Sequence, residues 1–143
     1  MSAQPAAGAT TLEWDDMQGL LRFGFKHLTQ ACFLLLRIKD RDAARAWLAA
    51  APVTTAVTAT PPPPTALQVA LTSDGLRALG LAPDIVDNFS NEYIAGMGSD
   101  PSRARRLGDV AASDPAHWDW GATNRVPHVL LMLYATPATL DGF

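Results

Sequence analysis

Three histidines and a single cysteine are the residues of this chain best suited to metal binding or nucleophilic catalysis. His27, His117 and His128 are far apart, and no His-x-x-x-His or Cys-x-x-Cys spacing accompanies them, so we predict no metal site. Cys32 lies shortly after His27, but in an apolar run where a thiol is poorly accessible, which argues against a nucleophilic pair. We expect structural roles for these four residues, and the residues alone assign no catalytic, cofactor-binding or metal-binding position.

Two nearby segments combine aromatic, acidic and basic residues in an unusual way. They are residues 89–109, FSNEYIAGMGSDPSRARRLGD, and residues 114–121, DPAHWDWG. The first holds the only local basic cluster, formed by Arg103, Arg105 and Arg106. Because the whole chain has a formal charge of −3, we interpret this cluster as a solvated helix face and predict no nucleic-acid partner.

These two segments resemble the N-terminal part of dye-decolorizing (Dyp-type) haem peroxidases. Three further segments occur in the same order as in that family, so the likeness covers most of the chain from about Trp14 onward: residues 16–38, 66–81 and 126–135. The resemblance implies one of two ferredoxin-like domains. It also implies that the intact protein binds haem b and uses hydrogen peroxide to oxidise dyes and phenolic substrates.

The catalytic groups that the resemblance implies are a distal Asp in a Gly-x-x-Asp-Gly motif, a distal Arg and a proximal His, the last two in the second half of the family's sequence. Asp141 and Gly142 fit the end of that motif, but Ala138 replaces its first Gly and the spacing disagrees with the family. We therefore expect Asp141 not to be the distal Asp. We expect the chain to be a fragment, truncated before the catalytic half, that binds no haem and is inactive alone.

Hydrophobic alternation and capping signals predict an α+β fold. The element order is that of a ferredoxin-like split βαβ domain, with a four-stranded antiparallel sheet and helices on one face. The predicted strands cover residues 30–38, 53–60, 67–71 and 126–135. A helix at 41–51, capped by Asp40 and with a buried stripe that includes Trp47, and several short helices after residue 72 complete the domain. We expect Ser73, Ser90 and Asp100 to cap three of the short helices. We expect residues 1–13 to be a disordered tail and residues 14–143 to form a single domain.

The first predicted strand is apolar on both faces, which is typical of a central, covered strand. The four tryptophans are expected to be packing residues: Trp14, Trp47, Trp118 and Trp120. The N-terminal residues do not resemble a secretory signal and no apolar run would span a bilayer, so we expect a cytoplasmic protein without a membrane partner.

Two other functions stay open. The chain could be a non-catalytic ferredoxin-like module that dimerises, or pairs with a separate second half, through an exposed apolar sheet face. It could also be a small enzyme of the dimeric αβ-barrel kind, although the sequence offers no polar constellation for its pocket.

Overall fold

The sheet is built from the apolar segments that the alternation pattern indicated. A computed structural model of the protein describes residues 12–122, 124–139 and 142. In this part of the chain three strands form one sheet: β1 (Gln30–Leu36), β2 (Thr65–Leu71) and β3 (Val129–Ala135). The order is β1-β3-β2, and β3 is antiparallel to both neighbours.

The register places apolar side chains from all three strands on each face of the sheet. On one face, Leu133 of β3 lies between Cys32 of β1 and Leu67 of β2. On the other face, Leu130 lies between Leu35 and Ala70. Since side chains alternate along a strand, the other paired residues of the three strands also lie alternately on one face and on the other.

The predicted four-stranded ferredoxin-like sheet is wrong, because residues 53–60 form no strand. The backbone of this segment bonds to several different parts of the chain instead of one strand. Thr54 N donates to Leu67 O (3.0 Å), while Ala56 N donates to Trp14 O (3.1 Å) and Met17 O (2.8 Å). Strand-like pairing in this segment is limited to one isolated antiparallel bridge between Thr55 and Gln18. The Val and Thr content favoured a strand, but hydrogen bonds to separate parts of the chain, β2 among them, decided the conformation.

Five α-helices are found among the described residues: α1 (Arg41–Ala50), α2 (Ser73–Ala78), α3 (Pro83–Val86), α4 (Asn91–Ala95) and α5 (Pro101–Leu107). Asp40, Ser90 and Asp100 cap α1, α4 and α5 as predicted. Backbone hydrogen bonds from Arg103 and Ser102 hold the pKa of Asp100 below its ordinary value.

The cap of α2 is Thr72 rather than the predicted Ser73. Thr72 Oγ1 accepts from Gly75 N at 3.0 Å, whereas Ser73 Oγ donates to Ile94 O at 3.1 Å. Both Ser and Thr are suitable N-cap residues. The Ser73 hydroxyl, however, is bonded to the carbonyl of Ile94, so Thr72 caps the helix instead.

Two small apolar clusters cover the sheet. Phe25 and Leu28 pack with Ala66 and are flanked by Tyr134. A second cluster surrounds Leu67 together with other strand residues, and Ile38, Ala51 and Val53 pack against it. The buried stripe predicted for α1 is wrong, since α1 has no buried residue and Trp47 remains 46% exposed.

None of the helices in the described ranges has both the length and the apolar run needed to cross a bilayer.

Candidate association surface and ligand pocket

The first candidate site is the β1 patch, which we define as the edge-strand residues Phe33 and Leu35 on one face of the sheet and Leu34 and Leu36 on the other. These four consecutive side chains are between 38% and 59% exposed. The prediction of a covered central strand is therefore wrong: β1 pairs with β3 on one side, and no described strand pairs with its other side. The apolar run indicated burial, but burial depends on what covers the strand.

The β1 patch has the properties of a strand-pairing edge. Natural edge strands usually carry Lys or Pro residues that oppose pairing with other chains. The strand Gln30–Leu36 has neither, and no charged residue at all. Phe33 is also held in place, since its ring stands edge-on to Tyr134 at 6.0 Å between centroids. The edge is thus apolar, uncharged and partly preorganised.

The second candidate site is a groove of about 900 Å³, called here the tryptophan pocket, which joins the two segments singled out in the sequence. One wall comprises the start of α2, α4 and the loop at residues 96–99, and the other comprises residues 117–121. The walls meet where a Cβ on Gly98 would lie 3.2 Å from Gly121 O. The unusual composition of both segments was visible in the sequence, whereas their contact was not.

The α4 wall is fixed by hydrogen bonds to the end of β2 and to α2. Tyr93 Oη donates to Leu71 O at 2.8 Å, and Ser73 Oγ donates to Ile94 O at 3.1 Å. The Tyr93 ring packs on Phe89 with centroids 4.9 Å apart. Burial raises the pKa of the Tyr93 hydroxyl, because it disfavours the charged phenolate.

The opposite wall is held by side-chain bonds to backbone carbonyls. Trp118 Nε1 donates to Ser113 O, and Arg125 Nη2 donates to Ala116 O, both at 2.9 Å. Trp120 is 58% exposed. The prediction that every tryptophan packs in the core is therefore wrong for Trp47 and Trp120.

The charges that line the tryptophan pocket are acidic. Its lining includes four carboxylates and no Lys or Arg: Asp74, Glu92, Asp109 and Asp119. Asp74 is paired with Arg77 at 3.5 Å. The other three take part in none of the ion pairs formed among the described residues.

The three histidines are not brought together. His27 Nε2 lies 2.9 Å from Pro63 O, and His128 Nδ1 accepts from Ile38 N at 3.1 Å, so both rings help to hold the fold. His117 lies on the rim of the tryptophan pocket. Within the described ranges, no three His, Cys, Asp or Glu side chains are grouped so as to hold a metal ion. Cys32 is half-buried, and Asp141 lies outside the described residues.

The tryptophan pocket does not fit haem. Haem carries two anionic propionates, which the pocket carboxylates would repel, and no Lys or Arg of the lining would pair with them. Of the predicted basic face, Arg105 and Arg106 are exposed, and Arg103 Nη1 donates at 2.6 Å to Gly96 O, a residue of the lining.

No protein-family model matches the chain, and no curated protein is significantly similar to it.

Proposed function

We propose that this chain is the N-terminal half of a Dyp-type haem peroxidase, and that its own role is non-catalytic association with the haem-bearing half through the β1 patch. The exposure of four consecutive apolar residues on an uncharged edge strand is the observation that carries the association role. The peroxidase assignment rests on the motif resemblance of residues 89–109 and 114–121.

The size of the β1 patch indicates how a partner would bind. Complete burial of one large apolar side chain contributes about 1.5–3 kcal/mol, and these side chains have roughly half of their area left to bury. A partner that covered both faces of the strand would gain about 3–6 kcal/mol and one that covered a single face about half of that, which is at or below the lower limit of what association costs. A stable complex needs the backbone edge as well, so the partner is expected to contribute a strand that extends the sheet beyond β1.

The non-catalytic role is supported by the surroundings of the histidines. A proximal ligand needs a free ring nitrogen that faces a cavity of haem size. His27 and His128 each use one ring nitrogen in a backbone contact and keep the other, whereas His117 borders a pocket whose charge opposes the propionates.

The catalytic part of the proposal is tested by titrating the purified chain with hemin while recording the Soret band. We expect no saturable shift and no peroxide-dependent dye oxidation. A shift that saturates at one hemin per chain, together with turnover, would show that the chain holds a complete site and would overturn the non-catalytic role.

The association part is tested by multi-angle light scattering of the wild type and Leu35→Lys. Without the haem-bearing half, the uncovered patch is expected to cause concentration-dependent self-association, and a lysine on the strand should abolish it. Leu107→Lys on α5 is the matched control, because Leu107 is 55% exposed and lies outside the patch. A wild type that stays monomeric at its solubility limit would refute the association role. A stable, saturating dimer would assign the patch to a second copy of this chain instead.

A further inference from the structure

We propose that the tryptophan pocket binds a small organic cation, such as a protonated amine or quaternary ammonium group attached to an aromatic or alkyl body. The groove has a volume of about 900 Å³, which lies in the range of small-molecule sites. This inference is independent of the peroxidase assignment and of the β1 patch.

Tyr93, Trp118 and Trp120 are the aromatic residues that line the pocket, and the fold already uses the polar atoms of the first two. Trp118 Nε1 donates to Ser113 O, and Tyr93 Oη donates to Leu71 O. Trp120 keeps 58% of its surface exposed. The face of an indole ring attracts a cation through its quadrupole and also packs against an apolar body.

The carboxylates that line the pocket favour a positively charged ligand over a negatively charged one. Glu92, Asp109 and Asp119 line the groove without an ion-pair partner among the described residues. Two arginines bond to residues of the lining, Arg77 to Asp74 and Arg103 to Gly96 O, but neither pairs with Glu92, Asp109 or Asp119. A cation entering the groove therefore meets acidic groups and aromatic faces together.

Other classes of ligand fit less well. A metal ion needs several clustered donors, and no such group occurs in the part of the chain that the structure describes. An anion would face three carboxylates that have no ion-pair partner among the described residues, and their repulsion is only partly screened in a groove. A neutral apolar ligand would use the aromatic faces but gain nothing from the acidic groups.

The test is a titration of the full chain with benzyltrimethylammonium, followed by the NMR signals of the four indole N–H groups. We expect a saturable shift of the Trp118 and Trp120 signals with a Kd of about 1 mM, weakening as salt is added. Benzenesulfonate, an anion of similar size, should bind at least about tenfold more weakly. Equal binding of the two ions, or no saturable shift with the cation, would overturn the proposal.

Two variants separate the aromatic from the acidic contribution. Trp120→Ala is expected to weaken binding about tenfold, and Asp119→Asn about threefold with a smaller salt dependence. Trp47→Ala is the matched control, because Trp47 is 46% exposed on α1 and should leave the Kd unchanged. Equal effects of Trp47→Ala and Trp120→Ala would show that exposed indoles bind the probe non-specifically. If Trp120→Ala loses its circular-dichroism spectrum, Asp119→Asn decides the outcome alone.

Discussion

Gly75 occupies a position in α2 where the structure reverses the usual effect of a glycine-to-alanine change. Alanine in a helix is normally favoured over glycine by about 0.5–1 kcal/mol. At Gly75, however, a Cβ would lie 2.0 Å from His128 O. Gly75→Ala is therefore expected to destabilise the protein, because the backbone of α2 must move away from His128.

The cost follows from what that movement breaks. Relieving the contact requires a displacement of about 1 Å, since Cβ contacts under 3.0 Å are essentially never observed. The same interface holds two hydrogen bonds, from Thr72 N to His128 O (3.1 Å) and from Thr72 Oγ1 to Pro127 O (2.8 Å). Weakening both costs about 1–3 kcal/mol, and steric strain adds about 1–3 kcal/mol. After the helical gain of alanine is subtracted, the expected net loss is about 1–5 kcal/mol.

Chemical denaturation and thermal melting would measure this loss. For a chain of this size, each kcal/mol lowers Tm by about 3 °C, so we expect a decrease of about 3–15 °C for Gly75→Ala. Gly24→Ala is the matched control, because the nearest atom to its Cβ would be Lys26 Cγ at 4.0 Å. A neutral or stabilising Gly75→Ala would refute the close approach between α2 and His128.

Three further predictions concern Leu35 in the β1 patch, Thr72 at the start of α2 and the half-buried hydroxyl of Tyr93. Leu35→Lys is expected to change the free energy of unfolding by less than about 1 kcal/mol while raising solubility, as measured by denaturation and precipitation assays, because Leu35 is already partly exposed. Thr72→Val should lower the free energy of unfolding by about 1–3 kcal/mol, whereas Thr72→Ser should retain most of it; equal losses would show that the hydroxyl contributes nothing. Because folding raises the pKa of Tyr93, its contribution to stability is fully present below the ordinary tyrosine pKa of about 10 and decreases as pH rises through the folded value. Denaturation at increasing alkaline pH should show a smaller loss for Tyr93→Phe than for the wild type, and identical slopes would contradict this.

The features that local chemistry encodes were predictable from the sequence. Asp40 and Ser90 cap helices where expected, and the Asp100–Pro101 pair starts α5. The alternating apolar segments became β1 and β3, shortened by a few residues. Each of these signals depends on neighbours within one helical turn or one strand, so no knowledge of distant contacts was needed.

The features that depend on distant contacts were not predictable. The segment at 53–60 resembled a strand, but its backbone bonds to residues near Trp14 and Met17 prevented a ladder. The apolar run of β1 indicated a covered strand, while the sheet left it at an edge. The composition of the tryptophan pocket was visible in the sequence, although only the fold brings Gly98 next to Gly121.

The central position of β3 has a consequence for the order of folding. β1 and β2 emerge first during synthesis, but each forms its ladder only with β3. Roughly 100 residues separate Cys32 from its partner Leu133, so closure of a long loop must precede the first β1 pairing. A nascent chain that has not yet released β3 therefore presents two unpaired apolar strands to the cell, which is the state that chaperones bind and in which aggregation begins.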